Sequence, residues 1–327
     1  KVLDVKEAIE FEAGTDIFVS ENGGIGVFDN GALKLSGTAS ANVLIRGKEP
    51  VAGYWRGIHM ETSSLKNQFS YAQISEAGSD YVYCCNDIAT VFLKAGKLAM
   101  DHTTLLNGDG YGLLVKEAAE LREYQANTIT SHNDFPIYIH AERIGELDGS
   151  ASDYSGNVGD HDYVAIFTST TENATTFPKN NVPYLVITNT VLNFKEPLKI
   201  DAGVEVVFEQ NAGMGIYDNG TFNVIGTASE KIIFRGRENV SGYWRGIHTE
   251  TTSSENRMDH VELRNAASNY VYCCNDFAGL LVKSGTMEVT NSYIADNDGC
   301  GIFVKSGGTL TEAGNTFANN TDGNICQ

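Results

Sequence analysis

The heptapeptide YVYCCND stands at Tyr81–Asp87 and returns unchanged at Tyr270–Asp276. Four of the six cysteines fall in these two copies, as the adjacent pairs Cys84–Cys85 and Cys273–Cys274. Neighbouring cysteines have three local chemistries open to them. They can bond to each other as a vicinal disulfide, pack as reduced thiols into a corner, or hold a metal with Asp87 or Asp276 close by. No other cysteine and no histidine lies near the first pair in sequence, so a four-ligand zinc set is unsupported and no metal site is assigned. Two exposed thiol pairs in an oxidising compartment would not stay reduced, which makes the vicinal disulfide the leading expectation, with buried thiols as its alternative.

Two other kinds of residue invite a chemical reading. Both tryptophans, Trp55 and Trp244, sit in GYWRGIH, each followed by Arg and Gly. A Trp there can plug a packing gap beside a bending glycine, or offer a sugar platform next to Arg, and packing is the expectation. The corners NGDG (Asn107–Gly110) and DNDG (Asp296–Gly299) look like calcium loops. Neither has the twelve-residue frame closing on a bidentate Glu, and Asn and Asp serve left-handed turns equally well. Turn chemistry is expected, no cofactor is assigned, and adventitious Ca²⁺ is the alternative.

The elements that must position these groups are short strands. The chain of 327 residues is rich in Gly (34) and poor in Pro (5), with Asn, Thr and Ser between short apolar runs. No stretch keeps a 3.6-residue apolar period long enough for a major helix. Shifting the sequence by 189 residues aligns it with itself: GIGVFDNGALKLSGTAS from Gly24 meets GMGIYDNGTFNVIGTAS from Gly213, and GYWRGIH from Gly53 meets GYWRGIH from Gly242. The chain therefore reads as half 1 (1–138), an irregular connector (139–189) and half 2 (190–327), expected to form one continuous elongated body. Within each half a shorter step of 22 separates VFLKAG at Val91 from LLVKEA at Leu113, and LLVKSG at Leu280 from IFVKSG at Ile302. A strand-and-turn repeat near this length cannot bury its own inner face and must stack on its neighbours. Parallel strands returning this way cross over right-handed, so the predicted fold is an all-β, right-handed parallel β-helix.

GTASANVLIRGKEPVAGYWRGI, MEVTNS at Met287–Ser292 and GIFVKSGGTLTEAGNTFANN resemble secreted bacterial proteins built of right-handed parallel β-helix repeats. The resemblance covers nearly the whole chain and implies that fold, with an extracellular or outer-surface location and any leader removed. It implies no particular reaction, because catalytic groups differ from family to family among the lyases and hydrolases of this fold. None of their clustered motifs is present to carry over.

Stacking converts periodicity into columns about 4.8 Å apart. With Ile58, Val91, Leu113 and Ile137 in register, alternation turns Ile58, Met60, Leu93 and Val115 inward. The outward neighbours form one column of His59, Phe92, Leu114 and Tyr138 and another of Glu61, Lys94, Lys116 and His140. The second half repeats them as His248, Leu281 and Phe303, and as Glu250, Lys283 and Lys305. A charge ladder on a solvated face is one reading. The other is a groove holding a sugar chain by stacking and hydrogen bonds. A separation of 189 residues is about eight coils, so the two cysteine pairs cannot bond to each other. Cys300 and Cys326 lie on adjacent coils but two residues out of line, about 8 Å apart, and a bridge between them is not expected.

The charge balance narrows the function. With 42 acidic against 23 basic residues the formal charge is −19, which repels phosphate backbones and argues against a nucleic-acid partner. No apolar run reaches the length of a membrane span. The expectation is an acidic monomer acting as a secreted or cell-surface binding or scaffold module, with polysaccharide as its partner and no catalysis. The alternative is a polysaccharide lyase or glycoside hydrolase. A hydrolase needs two carboxyls across one sugar bond, whereas the columns supply one per half, Glu61 and Glu250.

Overall fold

A computed structural model describes residues 1–167, 170–272 and 275–327 of the chain. Two compact units emerge: Lys1–Ala165 with Asn180–Val182, and Ile166–Lys179 with Pro183–Gln327. Each contains one copy of the long repeat, and each is a parallel β-helix.

In the first unit the strands stack on three faces. One face runs through Val2–Val5, Gly24–Val27, Ile58–Thr62, the first part of Ala89–Asp101, Tyr111–Val115 and Ile137–His140. The second carries Ala8–Glu12, Ala32–Ser36, Gln68–Ser70, the rest of Ala89–Asp101, and Ala119–Gln125. The third carries Asp16–Val19, Val43–Gly47, Ala72–Ser75, Thr104–Leu106 and Thr128–Thr130. The second unit repeats the plan. Its first face includes Val191–Phe194, Gly213–Asp218, Ile247–Thr251, Ala278–Thr290 and Cys300–Ala313.

The inward positions are the ones alternation selects. Val91 pairs with Ile58 on one side and Leu113 on the other, Leu93 with Met60 and Val115, and Leu113 with Ile137. All of them are fully buried. The corners are closed by side chains that satisfy backbone groups the ladders leave over. Buried Asn67 accepts from the Leu33 amide and donates to the Thr62 and Lys97 carbonyls. Its counterpart Asn256 accepts from Phe222 and donates to Ser253 and Thr286.

Coil length varies along the stack. Val91 to Leu113 is one coil of 22 residues, but Ile25 to Ile58 and Ile58 to Val91 are coils of 33. Met214 to Ile247 and Ile247 to Leu280 are likewise 33. The longer coils are those that carry GYWRG and YVYCCND.

The irregular segment is shorter than 139–189. After two 3-10 turns, Ala141–Glu146 and Gly149–Ala151, the chain re-enters regular coils. Thr175–Phe177 pairs with Leu198–Ile200, and Tyr184–Val186 with Glu205–Phe208. Thr175–Phe177 and Tyr184–Val186 have no duplicated partner in the sequence, so self-alignment cannot register them although Phe177, Tyr184, Leu185 and Val186 are buried in the ordinary way.

Candidate functional site

The extra residues of the long coil fold back across the first face. Tyr83 is laid over Gly26, where any side chain would collide with its ring. Its edge meets His59 at 5.3 Å and 78°, and Phe28 at 5.7 Å and 84°, while its hydroxyl donates to the Asp4 carboxylate. Four residues on, Asp87 accepts from Lys116 Nζ at 3.1 Å. Between these two anchors Cys84 and Cys85 are bonded to each other, with Cα atoms 3.7 Å apart. The second unit repeats the anchors: Tyr272 lies over Gly215, meets His248 at 4.9 Å and Tyr217 at 6.0 Å, and donates to Asn193. Asp276 accepts from Lys305 at 2.7 Å. The pair Cys273–Cys274 lies outside the described residues.

The burial of the column side chains corrects the picture of an exposed outward column. His59, Phe92, Leu114, His140, His248 and Leu281 are buried, and Tyr138 and Phe303 are half-buried. Alternation places them on the outer side of the sheet as expected, but it says nothing of what lies on top. Phe92 meets His59 edge-on at 4.8 Å and shares an apolar cluster with Leu114, Tyr111 and Tyr138. The stem of Lys116 brings its ammonium over Phe92 at 5.7 Å. His140 instead accepts from the Glu142 amide and starts a 3-10 turn.

The polar column forms pairs. Lys94 donates to Glu61 at 3.0 Å and Lys283 to Glu250 at 2.8 Å, while Lys116 and Lys305 turn to Asp87 and Asp276. A register shift after Leu93 sets Glu61 opposite Ala95, yet the Lys94 side chain still reaches it. Each glutamate also meets its histidine, His59 Nε2 at 2.6 Å and His248 Nε2 at 3.4 Å. Burial pushes both imidazoles below the ordinary histidine value, against the pull of the carboxylate. A neutral ring that donates from Nε2 leaves Nδ1 bare, and Nδ1 of both residues is buried without a partner. Burial would raise Glu61 and Glu250, but hydrogen bonds from histidine and lysine outweigh it and hold both below the usual carboxylate range.

Beside this network the second unit opens a cleft of about 510 Å³, lined by Tyr217, Asp218, Glu250, Thr251, Thr252 and Tyr272. Tyr217 pairs with Glu250 and Asp218 with Thr251 on adjacent strands, so two carboxylates and two aromatic rings share one corner. The first unit places Phe28, Asp29, Glu61, Thr62, Ser63 and Tyr83 at the equivalent positions. Of the column residues only Glu250 enters the cleft. The two tyrosines and Asp218 were legible only as parts of the repeat, and the signal that could have found them is the 33-residue coil, whose surplus must go somewhere.

Both tryptophans are fully buried, Trp55 Nε1 donating to the Ser75 carbonyl at 2.7 Å and Trp244 Nε1 to the Arg264 carbonyl at 2.8 Å. They are packing residues. Asn107 and Asp296 begin the two acidic corners in the left-handed region, at φ 53° and 55°. The expectation for the last two cysteines is overturned: Cys300 and Cys326 are bonded, with Cα atoms 6.1 Å apart. Cys300 faces Gly323, and the sulfur of Cys326 doubles back beside that glycine, whose φ of 134° permits the curl. A fully extended strand would have kept them apart. Comparison of the chain with family models, with curated proteins and with solved structures finds no match.

Proposed function

We propose that the protein is a glycan-binding β-helix module that acts outside the cell, and that the Tyr217–Tyr272 cleft holds the sugar. The observation that carries this reading is the composition of the cleft wall. Two aromatic rings at right angles offer apolar faces to sugar C–H groups, and carboxylates and threonine hydroxyls supply fixed hydrogen-bond partners. The Cys84–Cys85 and Cys300–Cys326 bonds support an oxidising compartment, in keeping with the resemblance to secreted bacterial β-helix proteins. The formal charge of −19 disfavours nucleic acid. Among the described residues no helix is long and apolar enough to cross a membrane.

Hydrolysis is the second reading, because Asp218 and Glu250 line the same cleft. Glu250 is an unsuitable proton donor, since Lys283 and His248 keep it ionised. A panel of neutral, acidic and amine-bearing glycans tests both. Binding is expected, with Tyr272→Ala reducing affinity about tenfold or more, and without new reducing ends or unsaturated uronate. Product release from any glycan would favour the enzymatic reading, and no binding across the panel would sink both.

A further inference from the structure

The two units treat one duplicated corner differently. In the first, Lys6 brings its ammonium to 5.0 Å from the centre of the Phe28 ring and 3.8 Å from the Asp29 carboxylate. An aromatic face and a carboxylate together hold an organic cation there. The equivalent residues 189 positions on are Lys195, Tyr217 and Asp218. Lys195 does not repeat the contact. It bonds to Glu172 at 2.6 Å, and from there its charge still acts on Tyr217 and Asp218 through space. Among the described residues no lysine is thus seated on the Tyr217 ring as Lys6 is on Phe28, and it is this corner that opens into the cleft of about 510 Å³.

The charged side chains that line the cleft itself are acidic, although Lys283 pairs with Glu250 from behind. The lining includes the carboxylates of Asp218 and Glu250 and no Lys or Arg. An acidic sugar would meet only repulsion at those two groups. A cation would meet the Asp218 carboxylate and the rings of Tyr217 and Tyr272, the pairing that recognises ammonium ions, with Glu250, already shared with Lys283, as a further acceptor at the edge.

We infer that the second-unit cleft is a site for a primary ammonium borne on a sugar, that is, for a glycan containing free amino sugars, with the ammonium taking the place at Tyr217 and Asp218 that Lys6 takes at Phe28 and Asp29. This rests on the glycan-binding reading and narrows it. The selectivity comes from charge at one carbon of the sugar ring. Acetylation of the amine removes both the charge and the fit.

Calorimetric titration of the full chain in mildly acidic buffer, with a glucosamine oligosaccharide as probe, tests the inference. The expected result is one site per chain, with the N-acetylated oligosaccharide binding about tenfold more weakly or worse. An oligolysine peptide of matched charge should also bind more weakly, for want of sugar contacts. Equal affinity for the free and acetylated sugars would overturn the ammonium site and leave glycan binding standing. Oligolysine binding as tightly as the sugar would overturn the amino-sugar assignment, and absence of binding to all three would overturn the site itself. Two variants outside the cleft give independent readouts. Lys6→Ala should free the Phe28–Asp29 corner and raise the stoichiometry from one to two. Glu172→Gln should release Lys195 to fall over Tyr217 and weaken binding about tenfold. If the first leaves the stoichiometry at one and the second leaves the affinity unchanged, the internal lysine is no surrogate for the ligand and the inference fails.

Discussion

Tyr83 lies across Gly26 with no side chain between ring and sheet, and Tyr272 lies across Gly215 in the same way. The long coil of each unit is thus fastened to its own outer face by a tyrosine that only a glycine can receive. Gly26→Ala must therefore lift the ring from His59 and Phe28. The expected cost is about 1–3 kcal/mol, typical of forcing an extra methyl into a packed contact. Urea unfolding of Gly26→Ala measures it. The same change made in a Tyr83→Ala background should cost clearly less, because the collision is then gone. Equal costs in both backgrounds would show that the ring and the glycine are not coupled.

How much of this could be read beforehand depends on what periodicity encodes. The step of 22 fixed the pairing of Val91 with Leu113 and of Leu280 with Ile302, and alternation fixed which side chains turn inward. The pairing of Lys94 with Glu61 followed from the same stacking. Periodicity is silent about an insertion that covers the face it interrupts, so His59 and Phe92 read as exposed when Tyr83 and their own neighbours bury them. It is also silent about a strand that curls, which is why Cys300 and Cys326 looked too far apart. The cleft needed the first of these, since one wall is the folded-back tyrosine, set against the end of the strand that carries Tyr217 and Asp218.

Burial of His132 carries a pH signature. The ring is fully enclosed, its Nε2 3.1 Å from Thr90 Oγ1, and burial pushes its pKa down to about 4. The unfolded chain takes up the proton near the ordinary value of 6.5, so between 6.5 and 4 it binds more protons than the folded one. The stability contributed by a neutral His132 is complete above 6.5, declines as pH falls through that window and levels off below 4. The total change is on the order of 3 kcal/mol. His59, His140 and His248 are shifted the same way by burial, whereas Asp134 and Glu146, raised by burial, act in the opposite sense. NMR titration of the His132 ring should show no protonation until about pH 4, and His132→Gln should flatten the pH dependence of unfolding in the window. A ring that titrates near 6.5 would remove the argument.

The two tryptophans give an internal comparison of packing. Trp244 stacks on Phe208 at 3.9 Å and 7°, while the residue equivalent to Phe208 in the first unit is Val19. Replacing either Trp by Ala should cost about 3–5 kcal/mol. The loss at Trp244 should exceed that at Trp55 by about 0.5–1.5 kcal/mol, the worth of an aromatic pair beyond its buried area. Thermal or chemical unfolding of the two variants side by side decides it, and equal losses would mean that the stack adds nothing.

The disulfides should separate by the length of chain they close. Cys300–Cys326 spans 26 residues, and the chain-entropy relation gives about 3–4 kcal/mol for restricting a loop of that size in the unfolded state. Cys84–Cys85 closes no loop beyond its own peptide unit, so its effect on the unfolded chain is small. Cys326→Ser is therefore expected to lower the unfolding free energy by about 3 kcal/mol, and the double change Cys84→Ser with Cys85→Ser by less than about 1 kcal/mol. The vicinal pair acts locally: it sits between Tyr83 on Gly26 and Asp87 on Lys116, so its loss should show as mobility of that tyrosine rather than as a lower midpoint. Mass spectrometry of denatured, unreduced and alkylated protein provides the prior check. Label on Cys84, Cys85, Cys300 or Cys326 would mean that the corresponding bond is absent and its predicted effect void.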